Sequence, residues 1–127
     1  MASVFTKIIN NELPCYKIHE DELTISILTI EPIHLGHALV IPKQEVNHWF
    51  DVPEAAYLQV QKNAQKIGKA IRKATGCERV LTTAIGFEVH HYHLHLIPAW
   101  SMADLNFSKA QKRSESEMKE ILEKIKA

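Results

Sequence analysis

An α+β fold, with an antiparallel sheet of about five strands and one long helix packed across it, is predicted by three features of the sequence. Short segments rich in β-branched and apolar residues are separated by turn-forming residues. One long stretch, residues 52–75, carries helical periodicity. The strand-like segments gather in runs around that stretch and do not alternate with helices one for one, which favours a largely antiparallel sheet.

Val4–Asn10 is predicted to form a short helix, ended by Glu12-Leu13-Pro14. Cys15–His19 and Leu23–Ile30 read as two strands, and the polar Glu20-Asp21-Glu22 between them suits a hairpin turn. Glu31–Gly36 is a loop, and His37–Ile41 is a short apolar strand stopped by Pro42. The long helix is expected from Val52 to Thr75, with Asp51 as N-cap, Pro53 in the first turn and Gly76 at the C-terminal cap. Ala56, Val60, Ala64, Ile67, Ile71 and Ala74 form one stripe facing the sheet, leaving Lys62, Lys66, Lys69, Arg72 and Lys73 in water. Arg79–Ile85 and Glu88–Ile97 read as two further strands around Gly86, and Pro98-Ala-Trp100 closes the second. Residues 109–126 alternate charge, with Met118, Ile121, Leu122 and Ile125 at helical spacing. They are expected to form a charged C-terminal helix or tail beside a core of about residues 4–108, within one domain spanning 1–127.

A chain of 127 residues is the size of one domain. Fifteen Lys and Arg balance fifteen Asp and Glu. That argues against the broad basic face required for nucleic-acid or anionic-membrane binding. Cys15 and Cys77 lack metal-ligand spacing and read as buried thiols of a reducing compartment. No basic start followed by an apolar run marks a secretory signal, and no apolar run is long enough to span a bilayer, so a cytoplasmic protein is expected. The compositional oddity is eight histidines, four of them within residues 90–95.

On a strand, side chains alternate faces. His91, His93 and His95 then share one face with Val89 and Ile97, while Tyr92, Leu94 and Leu96 can pack beneath the helix stripe. Three imidazoles at strict period two are hard to obtain from packing, because each ring needs hydrogen-bond partners. Two chemistries remain. In a metal site, a His-x-His pair supplies neighbouring ligands, yet His91 and His95 stand about 13 Å apart along such a strand, too far for one ion to use all three. Alternatively, a central His acts as nucleophile while its neighbours orient it and neutralise an anion. An imidazole that titrates near pH 6.5 is a competent nucleophile toward phosphorus, and this reading uses the spacing as it stands.

His91-Tyr-His93-Leu-His95-Leu-Ile97 resembles the histidine-triad pattern, His-φ-His-φ-His-φ-φ. The likeness extends to Phe5-Thr-Lys-Ile-Ile-Asn-Asn-Glu-Leu-Pro14, to Gly36-His-Ala-Leu-Val-Ile-Pro-Lys43, and to Asp104-Leu-Asn-Phe107, which is similar to the tail of a bacterial, Hint-like branch. The resemblance implies a nucleotide hydrolase or transferase acting at the α-phosphate. It assigns His93 as the attacking histidine that carries a nucleotidyl intermediate, His91 and His95 as the flanking phosphate-binding pair, and His37 as a fourth contributor. Neither metal nor other cofactor is implied.

Departures from the family pattern bear on substrate. Thr29 and Ile27 stand where many members carry a ribose-binding Asp and the aromatic two residues before it, and Ile30 joins them as a candidate contact. Gly86-Phe87-Glu88 replaces a common Gly-Gln-Ser, so two polar phosphate neighbours are exchanged, one for a carboxylate. Val80 replaces a frequent amide. Ser3 and Thr6 occupy positions where some relatives hold a structural zinc through Cys-x-x-Cys, so no such zinc is expected. The resemblance sets His19 at a position near the base pocket of relatives, with an exposed strand-end His as the equal alternative; His90 falls on the opposite face, and His34 and His48 read as solvent residues. Trp49 and Trp100 read as core or interface anchors in preference to base-stacking platforms. The expected partner is a purine nucleotide or nucleotide conjugate, and the expected assembly is a homodimer. The rival readings are a nucleotide-binding module with little turnover and a metal-dependent hydrolase using a His-x-His pair.

Overall fold

The computed structural model describes residues 2–127. Ser3 caps the first helix, α1 (Val4–Ile9), by accepting the backbone N–H of Thr6. The hairpin of β1 (Tyr16–Glu20) and β2 (Thr24–Leu28) leads to β3 (Ala38–Pro42). The long helix α2 (Glu54–Thr75) follows, then β4 (Arg79–Thr83), β5 (Leu94–Ala99) and α3 (Glu115–Lys126). The five strands form one antiparallel sheet, as the sequence predicts, and their order is β1-β2-β3-β5-β4. This order sets β3 beside β5, with Leu39 opposite His95. The segment preceding β3 is thereby brought to the segment preceding β5.

Each face of the sheet buries its own layer. Leu28, Ala38, Val40, Leu94 and Leu96 pack against the α2 stripe of Ala56, Val60, Ala64, Ile67 and Ile71. On the other face, Ile25, Ile27, Leu39 and Ile41 pack around Phe5 of α1. Burying one such ring is worth roughly 1.5–3 kcal/mol, enough to hold a six-residue helix that could not persist alone.

Several expectations are corrected. The long helix starts at Glu54, because Asp51 belongs to a 3-10 turn (Trp49–Asp51) and Pro53 takes the cap position with no side-chain cap bond. Val52, immediately before the proline, is held extended at ψ 131°, which ends that turn. At the other end Gly76 is left-handed, φ 72°, and its N–H donates to the carbonyl of Arg72, as a glycine cap should. Pro42 is the last residue of β3 and pairs with Thr24, so it does not stop the strand ahead of itself. Pro98 similarly lies within β5, opposite Val80 and beyond the last β3 partner, where its missing N–H costs no ladder bond.

The predicted strand 88–97 begins only at Leu94, where its pairing with β3 begins. Ahead of it the chain bonds by other means, the N–H of Tyr92 donating to the carbonyl of Val46. The C-terminal segment is not peripheral to the core. Ser114 and Glu117 form a reciprocal capping box, and Met118, Ile121 and Ile125 of α3 are buried in the same layer as α2. Cys77 is buried as expected but Cys15 only half so. Trp49 and Trp100 are 55% and 42% exposed, and so are not core residues. Among the described residues, no helix is long and apolar enough to cross a membrane.

Candidate active site

The alternation that the sequence predicts for residues 91–97 persists although half of that stretch lies outside the ladder. Tyr92, Leu94 and Leu96 enter the α2 layer, which leaves His93 and His95 on the opposite face, their ring centroids 4.9 Å apart. His37 reaches them from the turn before β3, and the β3–β5 pairing carries its ring onto His95.

Hydrogen-bond partners fix the tautomer of every ring. Nδ1 of His37 accepts the backbone N–H of Ile33 at 3.1 Å, so its proton sits on Nε2. That Nε2–H donates to Nδ1 of His95 at 2.9 Å, which in turn puts the His95 proton on Nε2. Nδ1 of His93 faces the carbonyl oxygen of His91 at 2.7 Å; a carbonyl only accepts, so Nδ1 carries the proton and Nε2 the lone pair. His93 therefore offers an electron pair and His95 a proton, side by side. Burial keeps these rings neutral. It pushes His37 down to about 3 and His95 to about 4, in each case aided by neighbouring histidines, and it lowers His93 too.

His91 is placed differently from the expectation. Its ring is fully buried, its Nε2–H donates to the carbonyl of Pro42 at 2.8 Å, and its Nδ1 accepts the hydroxyl of Ser3 at 2.7 Å. With both nitrogens taken, it has none left for a phosphate oxygen. Ser3 and Thr6, where other sequences carry the zinc cysteines, instead donate to one oxygen of Glu45, Ser3 through its backbone N–H at 2.8 Å and Thr6 through its hydroxyl at 2.7 Å. These bonds hold the Glu45 carboxyl below its usual range. The edge of Phe5 rests on His93, centroid to centroid 4.8 Å, and so limits how its ring can turn.

A cavity of about 510 Å³ opens over His93, His95 and His37, and its walls include Thr29, Glu31, Phe87, Glu88 and Phe107. A second, of about 430 Å³, meets the first at Ile85, Gly86, Phe87 and His93 and is walled by His48, Trp49, Phe50, His90 and Tyr92. Of the residues expected near substrate, Thr29, Phe87 and Glu88 line the first cavity. Ile27 is buried beneath it in the α1 layer, and Ile30 is 62% exposed and lines neither cavity. His19 lies elsewhere: a β-bulge between Lys17 and His19 turns the strand. The ring bonds Asp21, which is itself held by Asn63 on the α2 side. The ring of His34 packs tilted against Trp100, at 56° between planes, while that of His48 stacks on Phe50. Glu31, Glu45 and Phe107 were not foreseen as part of the site's surroundings. Phe107 belongs to the Asp104-Leu-Asn-Phe107 segment, whereas a carboxylate in a polar loop carries no sequence signal of its own. Among the described residues, no three His, Cys, Asp or Glu side chains converge as metal ligands.

The family model described as HIT domain matches residues 10–102. An uncharacterised HIT-like protein of Borreliella burgdorferi is 34% identical over 116 residues, covering 86% of this chain and 84% of that protein. An adenosine 5'-monophosphoramidase of Saccharomyces cerevisiae is 31% identical over 135 residues, covering 98% and 83%. Among solved structures, a Hit-like protein involved in cell-cycle regulation from Bartonella henselae superposes with a TM-score of 0.85 at 29% identity, covering 98% of this chain and 94% of that one.

Proposed function

The chain belongs to the HIT domain family, and from that footing we propose that it is a nucleotide hydrolase. It cleaves a phosphoramidate or phosphoanhydride bond at the α-phosphate of a nucleoside monophosphate conjugate. The observation that carries this reading is the complementary pair of tautomers: an unprotonated Nε2 on His93 beside a protonated Nε2 on His95.

The lone pair of His93 Nε2 attacks the α-phosphorus, and the bond to the leaving group breaks with its electrons passing to the leaving atom. That atom takes the proton held at Nε2 of His95. The charge left on the His95–His37 pair is offset by the positive, phosphorylated ring of His93 next to it. Water then attacks phosphorus, the phosphorus–nitrogen bond breaks with its pair returning to His93, and the water's proton restores His95. The roles of the two faces of His93 are separate: Nδ1–H anchors the ring to the backbone while Nε2 reacts.

No metal enters these steps, and the yeast relative's activity on an adenosine phosphoramidate supports a purine nucleotide or its conjugate as the ligand. Within this reading the phosphate lies over His93 and His95, with Thr29 and Glu88 at its margins. The chain is further read as a cytoplasmic protein, and as a homodimer because Leu58, Ile85 and Trp100 expose apolar surface in quantity for so small a protein.

Acid-sensitive labelling tests the proposal. Rapid quenching in base during turnover of a radiolabelled adenosine phosphoramidate should leave label on His93, stable to base and released by acid. A label that maps to another residue, or turnover that persists in His93→Ala, overturns it.

A further inference from the structure

Fifteen Lys and Arg are spread over this chain, yet none lines either cavity that touches His93. The cavity over His93 and His95 instead carries two carboxylates, Glu31 and Glu88. Burial keeps His37, His93 and His95 neutral, so they supply no compensating charge. A site for phosphate chemistry usually surrounds its ligand with positive charge. Here a single phosphate can still be held by Nε2–H of His95. A second anionic group beyond it would meet two carboxylates and no cation, whereas an ammonium group would find partners in both.

We propose that Glu31 and Glu88 select the leaving group by charge. The favoured substrates are nucleoside phosphoramidates whose departing amine carries a further positive charge, such as conjugates of diamines or of basic amino-acid side chains. Conjugates with polyphosphate, sulfate or carboxylate-bearing leaving groups are disfavoured. This rests on the hydrolase reading above and narrows its substrate class. In the favoured reaction the phosphorus–nitrogen bond breaks, water's hydroxyl ends on phosphorus, and its remaining hydrogen ends on the released amine.

Binding and turnover test the two readings separately. Non-hydrolysable adenosine monophosphate esters of matched length, ending in an ammonium, a methyl or a carboxylate group, are titrated into wild type, Glu31→Gln, Glu88→Gln and the double variant. Wild type should bind the ammonium ester about tenfold more tightly than the carboxylate ester at low ionic strength. The double variant should bring the two within about threefold, and added salt should narrow the wild-type ratio. The methyl ester serves as the reference, since any effect of the lost carboxylates on the phosphate itself is common to all three esters and cancels in the ratios, and thermal melts report that each variant is folded. Equal binding of the charged esters by wild type, or a ratio that survives both substitutions, overturns the charge proposal. Failure of wild type to hydrolyse a neutral adenosine phosphoramidate overturns the hydrolase reading, whatever the esters do.

Discussion

Ser3 Oγ lies 2.7 Å from Nδ1 of His91, eighty-eight positions further along the chain. The same hydroxyl caps α1 by accepting the N–H of Thr6 at 3.1 Å. One side chain thus ties the start of the first helix to the residue whose carbonyl oxygen anchors His93. It is a positioning residue, acting on the proposed nucleophile through His91.

Ser3→Ala removes both bonds and leaves a buried imidazole nitrogen without a partner. A loss of about 1–3 kcal/mol in stability is expected from urea denaturation. Turnover should fall mainly in kcat, with KM little changed, because His91 does not line the cavity. Ser3→Thr keeps a hydroxyl at the cap and should recover most of kcat. A variant that loses stability while retaining full kcat would reduce Ser3 to a helix cap alone.

Acid should destabilise the protein well above the carboxylate range. The folded-state values of His37 and His95 fall to about 3 and about 4, from 6.5, so the unfolded chain binds more protons between these limits. The stability these rings contribute is complete above pH 6.5 and is lost as pH falls through that window, each group adding up to about 1.4 kcal/mol per pH unit. Asp21, lowered from 3.8 to about 2 by its bonds to Asn63, Thr24 and Leu23, contributes in the same direction but only below pH 3.8. Denaturation midpoints measured at pH 7.5, 6.0 and 5.0 should therefore fall steadily in wild type and less steeply in His37→Phe. A flat profile down to pH 5 would contradict the buried, neutral histidines.

Two glycines should respond to alanine in opposite directions. Gly36 has φ 102°, and a Cβ there would stand 3.0 Å from Cγ2 of Thr75. Gly36→Ala thus combines backbone strain with a clash and should cost at least about 1–2 kcal/mol. Gly68 lies inside α2 with nothing within 4 Å of the added methyl, so Gly68→Ala should stabilise by about 0.5–1 kcal/mol. Thermal melts of the two variants check the pair, and a stabilised Gly36→Ala would mean that the turn before His37 is not held as described.

Side-chain period carried much of this architecture in the sequence. The α2 stripe faces the sheet residue for residue, and the His93–His95 face opposes the Tyr92–Leu94–Leu96 face as period two requires. The rule also places His91 on the correct face, beside Phe5, but periodicity says nothing about hydrogen-bond saturation, so the phosphate-binding role that the family resemblance implies for His91 is not legible from the period. The partners of His91, Ser3 and the carbonyl of Pro42, come from segments 88 and 49 positions away. His19 stands exposed on β1, outside both cavities, which is the strand-end alternative to a base-pocket position. Asn63 sits among the apolar positions of α2 and is buried there because Asp21 and Thr24 from the β1–β2 hairpin satisfy it, a pairing invisible until the helix is laid over the sheet. The C-terminal helix was legible in its spacing but not in its depth, since a charged surface conceals how completely three apolar residues can be buried.

The His37–His95 pair should behave as one unit in catalysis. His37 touches the reaction through the proton it holds against Nδ1 of His95 at 2.9 Å, which confines the His95 proton to the nitrogen facing the cavity. Removing His37 frees His95 to take either tautomer, so that only part of the population presents a donor to the leaving atom. His95→Ala removes the donor outright and should lower kcat by about two to four orders of magnitude, the usual range for a positioned acid. His37→Ala should cost less, about tenfold to a hundredfold, and the pH profile of kcat should change because the remaining imidazole no longer has a buried donor pressed against it. In the double variant the loss should equal that of His95→Ala alone, since nothing remains for His37 to orient. His90→Ala, exposed at the rim of the neighbouring cavity, supplies the control and should leave kcat within about twofold of wild type. The losses of His37→Ala and His95→Ala adding in full would mean that His37 acts on substrate independently, and the hydrogen bond between the two rings would then have no part in delivering the proton.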